Sequence, residues 1–163
     1  MKHFKQLLTQ PLKVRTSAVI FLLVVALIGF VDASYLSYEH FQGVVPPCSV
    51  TKGCEQVLTS SYAVVLGMPV SLLGAIYYLL VLAGIFAYFE SKHQEFLRYA
   101  LLFTVFGFIA SLWFVYLQVF IIHSYCAYCM GSALTSTILF VTAIILFMKN
   151  NKITNNQTPI IKE

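Results

Sequence analysis

Four stretches of nearly unbroken apolar residues, at about 17–36, 68–89, 99–122 and 126–148, alternate with short polar segments along the chain. The first carries a single charge, Asp32, near its far end, and the second carries none. Stretches of roughly 20 residues, rising ~1.5 Å per residue, cross a hydrocarbon core of ~30 Å. Lipid offers backbone N–H and C=O groups no partner, so each stretch is predicted to be a membrane-spanning α-helix. The fold class that follows is all-α, an integral membrane four-helix bundle. Residues 1–15 form a basic tail, 16–148 the membrane domain, and 149–163 a polar tail expected to be disordered. The first apolar stretch exceeds the core of a signal peptide and three more follow it, so it is expected to be retained.

The longest polar segment, Ser37 to Gly67, reads as more than a connector. Pro46-Pro47 ends helix and stiffens the approach to Cys48. Gly53 allows a turn just before Cys54, and Glu55 to Ser61 suits a short surface helix. No charge occurs from Gln56 up to Glu90, so that helix is expected to lie on the membrane, in the position of a lid.

Composition agrees with lipid as the solvent. Hydrophobic residues make up 60% of the chain, charged residues 10%, and mean hydropathy is +0.84, whereas a water-soluble surface needs about a quarter of residues charged. The net charge of +4 reflects orientation rather than nucleic-acid binding. Lys2, Lys5, Lys13, Arg15, Lys92, Arg98, Lys149, Lys152 and Lys162 fall on one side of the predicted bundle, and Lys52 alone on the other. The positive-inside rule therefore puts both termini in the cytoplasm. In a bacterial inner membrane, the segment carrying Cys48 and Cys54 and the turn before Cys126 then face the oxidising side, where disulfides persist.

Those four cysteines form two unlike pairs. Cys126-Ala127-Tyr128-Cys129 opens the fourth span, where i and i+3 side chains share a helix face and the positive helix end favours a thiolate. Such a pair suits redox chemistry, against the alternative of a static staple. Cys48 and Cys54, five residues intervening, read by themselves more readily as a structural disulfide; beside the CxxC they become candidates for exchange. A zinc site built from these cysteines with His40 and His123 is disfavoured, because only one pair has the knuckle spacing; no metal is expected. His123 is either a proton carrier or an interfacial residue. Asp32 is a functional candidate as an intramembrane carboxylate, or a solvated structural group. Trp113, Phe114, Tyr116 and Phe120 fit an aromatic belt, any of which can also touch a bound ring.

The order of these features resembles the vitamin K epoxide reductase family in its bacterial form. Cys48 and Cys54 in the first outer loop, Ser60-Ser61-Tyr62, Gly67-Met68-Pro69 at the entry to span two and the Cys126–Cys129 motif carry the resemblance, over about Thr16 to Met148. It implies a quinone-dependent thiol-disulfide oxidoreductase. Partner thiols would pass electrons to Cys48, then through Cys54 to Cys126, with Cys129 facing the ring of ubiquinone or menaquinone. Ser60 would lie beside that ring, with Tyr62, Trp113 and Phe114 as further contacts. Many bacterial members carry a fused thioredoxin-like domain after the last span. Only a short polar tail follows Met148 in this sequence, so the expected partner is a separate DsbA-type thioredoxin-fold protein, and the role is support of disulfide bond formation. A DsbB-like oxidase would show the reverse order, with CxxC in the first outer loop. The alternative from another class is a non-catalytic membrane subunit with structural disulfides.

Overall fold

A computed structural model of the chain describes residues 14–47 and 53–156, and of 151–156 the backbone alone. Four long helices build it: α1 (Thr16–Gln42), α3 (Val70–Ser91), α4 (Gln94–Tyr116) and α5 (Ala127–Asn156). Each contains a stretch long and apolar enough to cross a membrane, the α4 span running on to Ile122 and that of α5 covering Ala127–Asn150. The chain is a membrane protein of all-α architecture, as its hydropathy pattern implied. Helices α1 and α3 pack together, α3 lies against α4, α4 against α5, and α5 closes the ring on α1.

The helix ends depart from the apolar stretches in instructive ways. Helix α1 continues past Leu36 through the polar run Ser37–Gln42 and stops at Gly43, whose left-handed conformation (φ +66°) turns the chain so that its N–H reaches the His40 carbonyl at 3.1 Å. Hydropathy reports where lipid ends, not where the helix does. The second span starts at Val70 rather than 68, because Met68–Pro69 (β2) pairs antiparallel with Val64–Val65 (β1) in a small hairpin that the apolar pattern did not signal. Leu66 and Gly67 form its two-residue turn, both with positive φ, as such turns require. The short helix α2 (Cys54–Leu58) occupies only the first part of the predicted Glu55–Ser61 segment. Helix α5 continues through Asn156, beyond the point where a disordered tail was expected to begin; residues 157–163 lie outside the described residues.

One cluster fills the end of the bundle where α1 begins and α3 ends. Val19 and Leu22 from α1, Val81 and Ile85 from α3, Leu97 and Leu101 from α4, and Leu139 and Ala143 from α5 are all buried there. Lipid tails are as apolar as these side chains, so interlocking shape rather than escape from water holds the helices together.

Candidate functional site

At the opposite end the outer segment is bolted onto the CxxC motif. Gly53 stacks its backbone on that of Tyr125; a Cβ there would stand 2.7 Å from the Tyr125 nitrogen, so only glycine fits without displacement. Ser124 donates a hydrogen bond to Gln56 Oε1 in α2. Cys54 and Val57 on one side and Cys126 on the other share a buried cluster, closed off by Leu58, Ile122, Tyr128 and Cys129. Cys54 is 2% exposed and Cys126 0%. Cys54 is disulfide-bonded, while Cys126 and Cys129 are free thiols. Cys48 lies outside the described residues. Tyr128, inside the motif, packs its ring 5.7 Å from that of Tyr35 and directs its hydroxyl to the Pro47 carbonyl at 3.5 Å.

Cys126 sits just before the first residue of α5, in the capping position, and its sulfur accepts the Cys129 backbone N–H at 3.4 Å. The Cys129 thiol also hydrogen-bonds to it, and this contact outweighs burial, pulling Cys126 down to about 7 from an ordinary value of 9.0. A thiol of lowered pKa is the better leaving group in disulfide exchange.

A residue with no motif to announce it holds this arrangement. Helix α4 widens into a π-helical turn over Leu117–Ile122, a rare conformation that is frequent at functional sites. Within it Gln118, 2% exposed, accepts the Cys126 backbone N–H on Oε1 at 3.0 Å and the Ser124 N–H on its main-chain carbonyl at 3.1 Å. The helix then ends at His123, which is exposed and left-handed (φ +54°). The only signal for Gln118 in the sequence was an amide alone in an apolar run, eight positions before Cys126.

Below the motif the helices stand apart around a cavity of about 600 Å³, within the range of small-molecule sites. Its wall includes Cys129 but not Cys126. Phe103, Phe106 and Phe114 supply aromatic faces; Ser60, Tyr62 and Gln118 bring polar groups to its upper part. Ser60, Tyr62 and Phe114 thus all line the cavity. The Ser60 hydroxyl donates to the Val57 carbonyl at 2.7 Å, so toward the cavity it offers an acceptor. Trp113 does not reach the cavity. It is 58% exposed on the outer surface of α4, stacked with Tyr116 at 6.0 Å, in keeping with an aromatic belt. Asp32 lies in α1 outside the cavity wall, with Oδ2 buried and making no hydrogen bond. Among the described residues no group of His, Cys, Asp and Glu is arranged to hold a metal ion.

With this geometry in place the comparison with known families is decisive, since the model of the vitamin K epoxide reductase family matches residues 20–144. The chain belongs to that family. No curated protein matches it. As a vitamin K epoxide reductase family member it is a membrane thiol oxidoreductase, and its free CxxC thiols stand at the junction of two environments, a dry thiol–disulfide cluster and an apolar cavity.

Proposed function

We propose that the protein re-oxidises a DsbA-type thioredoxin-fold partner on the extracytoplasmic side of a bacterial inner membrane and delivers the electrons to a membrane quinone. One observation carries this reading: Cys126 is buried in the cluster with Cys54, and Cys129 packs against that cluster while also standing in the cavity wall, so the motif bridges the two environments. Partner thiols reduce the loop disulfide of Cys54, with Cys48 receiving the attack. The Cys54 thiolate then attacks the oxidised motif at Cys126, expelling Cys129. Resolution by Cys48 releases Cys126, whose depressed pKa makes it leave readily. The state described, with Cys54 in a disulfide and both motif thiols free, is the one in which the electrons have reached the motif.

The apolar cavity with aromatic walls and few polar groups suits a quinone ring, which supplies a two-electron, two-proton acceptor. Over one cycle a partner dithiol becomes a disulfide, and two electrons and two protons convert quinone to quinol. The basic residues on one side of the chain support cytoplasmic termini and extracytoplasmic cysteines.

The test is turnover by purified protein given a reduced DsbA-type protein and a short-chain quinone. Wild type should reduce quinone in step with loss of partner thiols. Cys48→Ser should lose this activity yet still turn over with dithiothreitol, which reaches the motif directly. Equal loss with both reductants would overturn the relay, and no thiol-dependent quinone reduction by wild type would overturn the oxidase reading.

A further inference from the structure

Two hydroxyl groups at the floor of the cavity have no use within the protein. Tyr77 and Ser136 both line it. Ser136 is 2% exposed, and neither its Oγ nor the Tyr77 hydroxyl oxygen makes a hydrogen bond, although both are buried. The neighbouring Tyr78 differs sharply: its hydroxyl donates to the Ser132 carbonyl at 2.8 Å and lies 2.7 Å from Thr135 Oγ1. Tyr77 is also held rigidly, its ring 4.9 Å from that of Tyr78 and 5.5 Å from that of Phe103, and pressed against Gly107, where a Cβ would collide with it.

An unpaired hydroxyl in the middle of an apolar bundle is costly, so two side by side call for an occupant. The hydroxyls adjoin one another. Even if they turn to bond mutually, that bond uses one proton of two, and one O–H remains for a ligand. With Ser136 Oγ making no bond to its own helix, the floor can offer an O–H to a ligand. Seven residues separate Cys129 from Ser136 on α5, which places them on the same helix face about 10 Å apart along the axis. That is the length of one ring with a contact at either end.

We propose that Tyr77 and Ser136 form a hydrogen-bond-donor site at the cavity floor, which takes the far carbonyl oxygen of a 1,4-dioxo ring whose near side lies at Cys129. This rests on the quinone reading above and deepens it: the ring enters edge-on, oriented by its distal oxygen, and a second acceptor oxygen is part of what the site selects.

The experiment uses the full chain in detergent with a short-chain ubiquinone and a 1,4-naphthoquinone as probes and dithiothreitol as reductant. Because either hydroxyl can serve alone, Tyr77→Phe and Ser136→Ala should each raise KM for quinone only about twofold to threefold. The double variant should raise it about tenfold. Ser136→Thr in the Tyr77→Phe background, which keeps the remaining hydroxyl, should leave KM at the single-variant value. Dithiothreitol reduction of the oxidised motif, which does not involve the floor, should keep its rate. Removing unpaired buried hydroxyls should at the same time leave the melting temperature of the ligand-free protein unchanged or higher, the opposite of what a structural role would give. If wild type reduces quinone and the double variant keeps KM within twofold, the floor site is overturned and the quinone reading stands. A lower melting temperature with unchanged KM assigns the pair to the fold instead. Should the double variant fail to fold, the two single variants decide: if neither raises KM for quinone, the floor site is overturned. If wild type reduces no quinone, both readings fall.

Discussion

The two ends of the bundle are built on opposite rules. Where α1 begins, Val19, Leu22, Ile85, Leu97 and Leu139 interlock with 1% exposure or less. At the cysteine end, Gly74, Gly107, Ala110, Ala133 and Ser136 present little bulk, and the same four helices surround an open volume with unpaired hydroxyls on its floor. Shape complementarity is what binds helices in lipid, so the solid end supplies the cohesion that lets the other end remain hollow. Stability and chemistry are thereby separated along one helix axis.

The sharpest way to break this comparison is Cys129→Ala. Thiol-dependent quinone reduction should fall roughly a thousandfold or more, as when an essential group of a catalytic unit is removed, while circular dichroism and thermal melting stay at wild-type values. Loss of the fold along with activity would mean that the hollow end also holds the bundle together.

A change of intermediate size should come from the solid end. Leu139→Ala is expected to destabilise by about 2 kcal/mol or more through the cavity it leaves, measured by denaturation in mixed micelles, with turnover per folded molecule unchanged. A stable variant with altered KM for quinone would show that the two ends are coupled through α5.

The smallest effect concerns protonation and is read at equilibrium rather than in turnover. With the loop disulfide in place, thiolate absorbance of the reduced motif should titrate with a midpoint near pH 7, Cys126 being deprotonated above it and protonated below. Cys129→Ala removes the hydrogen bond that holds the thiolate and should move the midpoint up toward the ordinary thiol range of about 8.5. A midpoint that stays put would assign the depression to the start of α5 rather than to the partner thiol.

The spans could be read from sequence because apolar length is a local rule, and Ser60 and Tyr62, taken from the family resemblance, and Phe114, taken from the aromatic run, line the cavity. Trp113 and Phe114 show where local rules stop. They are adjacent, so helical rotation sends them to different surroundings, and only the packing of α4 on its neighbours decides which one meets the cavity. Gln118 was invisible for a related reason. Its role arises from a π-helical turn that no residue type announces and from the Cys126 N–H, which needs an acceptor only once α5 begins there. Tyr77 and Ser136 read as ordinary core residues until their missing partners are seen.

The stacking of Gly53 on Tyr125 has a kinetic meaning. On the proposed relay, it turns the meeting of Cys54 with Cys126 into a reaction within one molecule, and well-oriented groups held so behave as though present at effective molarities on the order of 10⁵ M or more. Dissolved thiols at millimolar levels compete poorly against such a neighbour. The glycine thus acts as insulation on a wire: it keeps electrons arriving at the loop from leaking to stray disulfides, and commits each pair to the single exit that lies in the membrane.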